Sequence, residues 1–319
     1  MAQEAQVVAV AGGTGFVGGA IARELAARGR RVVVLTHRAP AALATGTSAT
    51  PGTSATTPRP ALEFRRADVT RPESLATALA GVNELVISLA FRNSPIEAPR
   101  RGQTFELVDA AGAEALAAAA KAAGVSRIVY MSGAGAAADA TKHWFRAKWR
   151  AEEAVRGSGV AYTIFRPSWI YGPGDRSLNR FLGMSRFLPF VPQIGNGRQL
   201  LAPVFVGDMG ALVADALDNP ATKNVTLEVG GPATITMDEV IRTALRTLGR
   251  HRFILHAPVV LMKAMTAPLT LLPSPPMTPS AIDFVIQAAP VDTAPLRALL
   301  PRRLMPLSEA LATYMGRGH

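Results

Sequence analysis

The chain has 319 residues, of which 49% are hydrophobic, so it can form one large domain or one domain with a smaller lobe. It has no cysteine, which excludes disulfides, thiolate zinc sites and a cysteine nucleophile. The net charge is +11, but the arginines are scattered and no basic helix carries interleaved aromatic residues. We therefore expect no nucleic-acid partner, no metal site and a reducing, cytoplasmic location. The N-terminus lacks a basic region and is expected to lead into a strand, not to be a signal peptide.

The first recognisable pattern is a strand, a glycine-rich turn and a helix. Residues 7–10 are small and apolar, which predicts a buried strand, and Ile21 and Leu25 lie on one face of the helix that follows. A strand that turns through glycines into a helix leaves backbone N–H groups free at the positive end of the helix dipole, and these suit a pyrophosphate. The alternative is a turn without chemistry. The predicted dinucleotide-binding residues of the turn are Gly12, Gly13, Thr14, Gly15, Phe16, Val17 and Gly18.

The second predicted strand, residues 31–36, ends at His37 and Arg38. At this point of a dinucleotide fold, an acidic residue binds the 2′-hydroxyl of NAD, whereas an arginine accepts the 2′-phosphate of NADP. No acidic residue occurs between Glu24 and Glu63. We therefore predict that His37 and Arg38 favour NADP(H) over NAD(H). The alternative is that Arg38 is a solvated loop cation.

Strands and helices then alternate, which predicts a parallel, doubly wound sheet. Residues 39–60 interrupt the pattern with Ala, Thr, Ser, Gly and Pro and are predicted to be a low-complexity insertion. Further strands are predicted at residues 64–69, 85–90, 127–131 and 161–165, with helices at 104–123 and from about 139 to 156. Ligands bind at the carboxyl ends of such strands. Cofactor contacts are therefore predicted at Asp68, Val69, Leu89, Ala90, Ser132, Pro167, Ser168 and Ile170.

Asp68 has two open interpretations. Thr70 and Glu73 have the spacing of a capping box for the next helix, which would leave Asp68 free to contact the adenine edge. The alternative is that Asp68 is only a loop residue near the start of that helix.

The pattern loosens beyond Tyr171. We predict an NAD(P)-binding core at residues 1–171 and a mostly helical C-terminal lobe at 172–319 that returns strands to the core. The lobe is predicted to contain a strand at 204–206, a helix capped by Asp208, a strand from 226 and a helix at 236–248 with a Thr236–Glu239 capping box. The Pro-rich, apolar segment from Ala257 is expected to cover a substrate cleft or to form an exposed patch. Lys263 and Pro268 interrupt it, and it is too short to span a membrane.

Three segments carry a resemblance to a known family: the glycine turn and the runs at residues 165–175 and 204–209. They resemble the extended and atypical short-chain dehydrogenase/reductases. Within them, the chain is most similar to the branch containing the nucleotide-binding accessory subunit of respiratory complex I and its bacterial relatives. The resemblance covers roughly residues 6–250 and implies a Rossmann-type α/β fold with an NAD(P) cofactor.

The resemblance also implies a catalytic set of Ser, Tyr and Lys, with the lysine four residues after the tyrosine. The tyrosine is the acid/base, and the lysine lowers its pKa and holds the nicotinamide ribose. Ser132 and Lys148 match this set, but Trp144 stands where the tyrosine is expected. An indole donates a hydrogen bond but has no proton to exchange near neutral pH. His143 is adjacent, yet neighbours on a helix point about 100° apart, so it does not simply replace the tyrosine.

Each matching residue also has a simpler interpretation. Lys148 could be an exposed lysine paired with Glu152 at i+4, and Ser132 could only terminate its strand. Among the tyrosines, Tyr171 is the one expected near the cleft. We expect the site to be walled by Trp144, Trp169, Phe187 and the tail from Ala257.

Three functions remain open at this level. The first is an NADP(H)-dependent reductase of a small apolar or quinone-like acceptor, with the hydride chemistry supplied by the cofactor. The second is a non-catalytic protein that binds NADP(H) as a structural or redox-sensing ligand and meets a protein or a membrane surface through its apolar tail. The third is a sugar-nucleotide epimerase or dehydratase, whose chemistry depends on the same tyrosine that this chain lacks at position 144. A cytoplasmic protein, peripheral to the membrane at most, is expected.

Overall fold

The computed structural model describes residues 6–37 and 62–315. Its centre is a seven-stranded parallel sheet with the order β3-β2-β1-β4-β5-β6-β11. The chain moves outward in opposite directions from β1, so the ends of β1 and β4 form the switch point of a doubly wound sheet. The predicted Rossmann-type α/β fold is confirmed. The strands of this sheet are β1 (Val7–Ala11), β2 (Arg31–Thr36), β3 (Glu63–Arg66), β4 (Glu84–Ile87), β5 (Arg127–Met131), β6 (Ala161–Pro167) and β11 (Val225–Val229).

Helices cover both faces of the sheet, as its apolar strands require. One face packs against α2, α3 and α4, and the other against α1 and α6. The apolar residues of β1 divide between these two layers because successive side chains of a strand point to opposite faces. These helices are α1 (Phe16–Ala27), α2 (Glu73–Ala78), α3 (Gly112–Ala122), α4 (His143–Gly157) and α6 (Val206–Asp218).

The C-terminal lobe contains short strand pairs and small helices. The pairs are β7 (Trp169–Tyr171) with β10 (Pro203–Phe205), β8 (Phe190–Ile194) with β13 (Phe253–Ala257), and β9 (Leu200–Leu201) with β12 (Ile235–Thr236). The helices are α5 (Leu178–Met184), α7 (Met237–Thr247), α8 (Val259–Thr266), α9 (Pro279–Ile286), α10 (Ala294–Leu299) and α11 (Leu307–Met315). A separate core joins α5, α7 and α11. The predicted capping box of α7 is confirmed, because Thr236 and Glu239 each bond the other's backbone N–H.

Two predicted helix caps are wrong. The Thr70 hydroxyl and N–H both donate to Asp68 Oδ1, at 2.7 and 3.0 Å, and α2 begins after Pro72 without a side-chain cap. Asp68 is therefore not free, because its own carboxylate closes the turn. Asp208 does not cap α6 either. It accepts from the Met305 N–H at 2.7 Å and so ties the C-terminal segment to the first turn of α6.

The helix predicted at 104–123 consists of two parts. Phe105–Ala111 is π-helical and is capped by the Thr104 side chain, and α3 continues from Gly112. A π-helical turn changes the face on which the following side chains point, and such turns are frequent at functional sites. This one directs Asp109 into the interior.

Arg38 and the 39–60 insertion lie outside the described residues, so their predictions stay open. Within 6–37 and 62–315, no helix is long and apolar enough to cross a membrane.

Candidate functional site

The glycine turn between β1 and α1 requires its glycines. Gly12 has a φ of +82°, and a Cβ there would lie 2.1 Å from the Ser88 carbonyl oxygen. A Cβ on Gly18 would lie 2.3 Å from the Gly12 carbonyl oxygen. The turn therefore holds three backbone segments closer together than any side chain allows. This close packing brings the N-terminus of α1 to the carboxyl ends of β1 and β4.

The N-terminus of α1 is open to a ligand. Its cap residue is Gly15, which has no side chain to bond the first N–H groups of the helix. The first intrahelical bond of this turn is donated by the Gly19 N–H to the Gly15 carbonyl, at 2.9 Å. The N–H groups of Phe16, Val17 and Gly18 precede it, and the exposed Thr14 and Gly15 leave them accessible. This geometry fits the diphosphate of a dinucleotide.

The structure brings the predicted adenosine side of the site together with this turn. Val69 and Leu89 both approach Gly112, where an added Cβ would lie 3.0 and 3.1 Å from their side chains. Both are partly exposed at the sheet edge, and Ala90 beside them is exposed. Leu89 and Ala90 follow β4, which is next to β1, whereas Val69 follows β3, which is two strands from β1. Their assignment as cofactor contacts stays a prediction.

His37 is exposed at the carboxyl end of β2, and Asp68 lies across from it after β3. Burial opposes ionisation of Asp68, but the hydrogen bonds from Thr70 and the charges of Arg71 and His37 lower its pKa. Asp68 is therefore a fixed negative charge that closes its own turn.

Ser132 is the centre of a buried polar cluster. Its hydroxyl donates to Glu152 Oε1 at 2.6 Å. Glu152 is fully buried and also accepts hydrogen bonds from Arg166 and Arg156, at 2.6 to 2.8 Å. Both guanidinium groups lie over the Trp149 ring. The serine hydroxyl is thus held by a carboxylate that two arginines fix in place.

Lys148 does not pair with Glu152, so the interpretation as an exposed i,i+4 pair is wrong. Its Nζ lies 2.6 Å from Asp109 Oδ1, 3.3 Å from the Met131 carbonyl oxygen and 5.5 Å from the centre of the Tyr130 ring. Burial disfavours the charged lysine, but the Asp109 carboxylate outweighs this effect and raises the pKa of Lys148. Burial also raises the pKa of Tyr130. Burial raises the pKa of Asp109 as well, and Lys148 is thus a cation held by a buried carboxyl group.

Trp144 is 3% exposed and belongs to an aromatic cluster. Its ring lies 5.4 Å from Phe284 of α9 and 6.3 Å from Phe105. Its only donor, Nε1, bonds Gln287 Oε1 at 3.2 Å. The tail therefore closes over the position at which the superfamily has its proton donor.

His143 is tied to a different loop. Its Nε2 lies 2.7 Å from Glu97 Oε2, and the other Glu97 oxygen accepts from the Phe105 N–H at 2.9 Å. The ring packs edge-on against Trp144 at 5.1 Å. The pair is partly exposed, unlike Ser132 and Trp144, which are buried.

The remaining predicted residues lie at the end of β6 or after it along the chain. The Ser168 hydroxyl donates to the Ala289 carbonyl at 2.6 Å and accepts from the Ala202 N–H at 3.0 Å, so it joins β6 to the tail. Pro167 ends β6, and Ile170 packs on the core. Tyr171 is fully buried and stacks on Trp169, which excludes it from an open cleft. Phe187 is 85% exposed and does not wall the site.

Sequence reasoning missed the groups that hold the matched residues. Asp109, Gln287 and Glu97 each lie more than 35 residues from their partners, and no local spacing identifies them. Glu152 was noticed only as a neighbour of Lys148. The i,i+4 spacing from Lys148 gives no sign that Glu152 faces Ser132 across the α4–β5 contact.

A family model described as NAD(P)H-binding matches residues 12–183, which include the glycine turn and α4. The chain belongs to this NAD(P)H-binding family. The resemblance to atypical short-chain dehydrogenase/reductases is thereby confirmed.

Two curated relatives support the same family. Subunit 9 of the NADH dehydrogenase 1 alpha subcomplex from Arabidopsis thaliana is 33% identical over 198 residues, which cover 61% of this chain and 48% of the subunit. A ceramide reductase from Caulobacter vibrioides is 29% identical over 255 residues, which cover 78% and 73% of the two chains. The chain spans about half the length of the complex I subunits that it matches.

Among solved structures, an NADPH-dependent quinone oxidoreductase from Escherichia coli, complexed with NADPH, has a TM-score of 0.69 at 20% identity. The match covers 96% of this chain and 99% of that chain. At this identity the likeness supports the fold alone.

Proposed function

We propose that this NAD(P)H-binding protein holds NADP(H) as a structural or redox-sensing ligand and lacks the tyrosine-based proton transfer of the superfamily. The observation that carries this proposal is that Trp144 replaces the catalytic tyrosine and is held by the C-terminal segment. Its ring is buried under α9, and its one N–H donor is bonded to Gln287. An indole in this position has no proton to deliver to a carbonyl oxygen.

The two residues that match the catalytic set support the same conclusion. The Ser132 hydroxyl donates to Glu152, and the Lys148 ammonium pairs with Asp109. A serine that polarises a carbonyl and a lysine that binds a ribose both need free donors directed at the ligand. In this chain, the strongest acceptors near both donors are carboxylates of the protein itself. These interactions oppose acid/base chemistry by Ser132 and Lys148 and leave the glycine turn as the main binding element for the dinucleotide.

The residues present fit a dinucleotide. Under the proposal, the N–H groups of Phe16 and Val17 hold the diphosphate, and Val69 and Leu89 line the adenosine side. Bound NADP(H) supplies a hydride where an acceptor can reach it. NADP(H) is preferred because His37 and Arg38 stand where an NAD-specific fold has a carboxylate.

The test is a titration of the purified protein with NADPH and NADH, followed by the change in nucleotide fluorescence. NADPH should bind at least about tenfold more tightly, a difference of about 1.4 kcal/mol. Arg38→Ala should remove this preference, whereas Arg101→Ala, at an exposed arginine of a short 3-10 helix, should retain it. Tighter binding of NADH than NADPH would contradict the cofactor assignment.

The absence of chemistry is tested separately. Incubation with NADPH and a panel of quinones and aldehydes should give no loss of absorbance above the background without protein. Turnover that requires Lys148, and that is lost in Lys148→Ala, would contradict the non-catalytic role.

A second function is favoured by one specific observation, the ceramide reductase likeness, which covers 78% of this chain. In this alternative the protein is an NADP(H)-dependent reductase of an apolar acceptor, and the partly exposed His143–Glu97 pair replaces the tyrosine as proton source. His143→Gln should then abolish turnover without changing NADPH binding. Turnover in wild type that survives His143→Gln would exclude this proton source.

A further inference from the structure

The C-terminal lobe has an apolar outer surface that the cofactor site does not use. Phe187, Val260 and Leu271 are 85%, 81% and 79% exposed, respectively. Monomeric proteins seldom leave so many large apolar side chains in water in one region. We call this surface the apolar face; it is formed by Phe187, Phe253, Leu255, Val260, Leu261, Met265, Leu271 and Leu272.

The strand and helix that carry the apolar face follow one another along the chain. In the β8–β13 pair, Phe253 stands opposite Phe190 with ring centres 5.7 Å apart, and Leu255 stands opposite Pro192. These side chains share one side of the two-stranded sheet because residues two apart on a strand point the same way. After Pro258, β13 leads directly into α8.

Helix α8 is oriented opposite to an ordinary surface helix. Its exposed positions are Val260, Leu261, Ala264 and Met265, which lie on one side of the helix. Its polar contacts point inward, where Lys263 Nζ pairs with Asp283 of α9 at 2.5 Å and Thr266 is buried. An amphipathic helix normally turns its apolar side to the core. In α8 the apolar side instead faces solvent, where a binding partner can cover it.

The charges around the apolar face are mostly positive. Residues 176–207 and 240–282, which contain the whole face, include nine arginines and lysines and no aspartate or glutamate, although Arg242 and Lys263 pair with Asp238 and Asp283 outside these ranges. Arg250 and Arg252 bond the carbonyl oxygens of Leu182 and Ser185, which are neutral acceptors and leave the positive charges uncompensated. A second copy of this face would bring like charges together. An apolar face bordered by cations instead matches the interface of an anionic bilayer.

We propose that the apolar face docks this protein on the surface of an anionic lipid bilayer. The side chains of α8 and the β8–β13 pair enter the boundary between headgroups and acyl chains, and the neighbouring arginines bind lipid phosphates. Helix α8 has eight residues, so it lies in the interface and does not span it. The proposal is independent of whether the cofactor site is catalytic, because no residue of that site belongs to the face.

The experiment is flotation of the whole protein with vesicles of phosphatidylcholine alone or with added phosphatidylglycerol. Wild type should float with the anionic vesicles, less with the neutral ones, and less again as salt is raised. The double variant Leu261→Glu/Met265→Glu should lose binding by about tenfold or more, because it places carboxylates against anionic lipid. The matched control is Leu107→Glu, at a leucine that is 46% exposed but outside the lobe.

Folding of each variant is checked by circular dichroism and by NADPH titration, since neither readout depends on lipid. Failure of folded wild type to float with anionic vesicles would overturn the proposal. Equal flotation of the double variant and the control would also overturn it. A wild-type dimer in size-exclusion chromatography that the double variant dissociates, without flotation, would show instead that the face is a protein interface.

Discussion

The Asp109–Lys148 pair predicts an unusual result in a double-mutant cycle. Lys148 Nζ lies 2.6 Å from Asp109 Oδ1, with side-chain exposures of 16% and 3%. Replacing one partner leaves the other charge buried without its counter-ion, which costs about 3–5 kcal/mol. Asp109→Leu and Lys148→Met should therefore each destabilise the protein by about 3 kcal/mol or more. The double variant replaces both charges with apolar groups and should be less destabilised than either single variant.

The assay is urea unfolding followed by circular dichroism, with the free energy of unfolding extrapolated to water. The control is the exposed pair of Arg150 and Glu114, 2.5 Å apart, where Glu114→Gln should cost less than about 1 kcal/mol. If the two single variants each lost less than about 1 kcal/mol and their effects were additive, Asp109 and Lys148 would not form the closed pair described here. Lys148 would then be free to bind a ribose, and its pairing with Asp109 would no longer support the non-catalytic proposal.

Three further predictions follow from separate regions. Gly18→Ala places a Cβ 2.3 Å from the Gly12 carbonyl oxygen and should abolish NADPH binding in a fluorescence titration. The control Gly157→Ala, whose added Cβ would have no neighbouring atom within 4 Å, should leave NADPH binding unchanged. Burial opposes ionisation of Asp215, but its two arginine partners lower its pKa below the usual 3.8, so its stabilisation is present at neutral pH and lost as pH falls through that lowered value. Asp215→Asn should thus reduce the free energy of unfolding by about 1 kcal/mol at pH 7 and by nothing once wild-type Asp215 is protonated. Thr278→Ala removes the cap of α9 and should cost about 1 kcal/mol, measured by thermal unfolding; an unchanged midpoint would contradict the cap.

The sheet and the glycine turn could be predicted because their signals are local. Apolar runs of four to six residues separated by helix-length segments specify parallel strands, and the turn's glycines are consecutive with the strand and helix that give them meaning. The family resemblance depends on the same continuous segments. The capping box of α7 was also predictable, because both partners lie within one turn.

The contacts that engage Trp144 and Lys148 could not be predicted, because their partners are distant in sequence. Gln287 is 143 residues from Trp144, and Asp109, which pairs with Lys148, lies in a π-helical turn that the sequence pattern did not predict. The wrong cap at Thr70 has a related cause. Asp68 and Thr70 satisfy each other over two residues, and this shorter turn displaced the expected box.

These distant partners also determine what the substitution Trp144→Tyr does. On sequence grounds the change restores the missing acid, so it could create a reductase. In the structure, the Tyr hydroxyl would meet neither a free lysine nor a free serine, since both are engaged with carboxylates. Burial would raise the pKa of a tyrosine whose neighbouring lysine is already paired with a carboxylate, so it would donate its proton poorly. We therefore expect no NADPH oxidation by Trp144→Tyr alone with quinones or aldehydes. Activity in this variant would show that Lys148 leaves Asp109 when the cofactor binds.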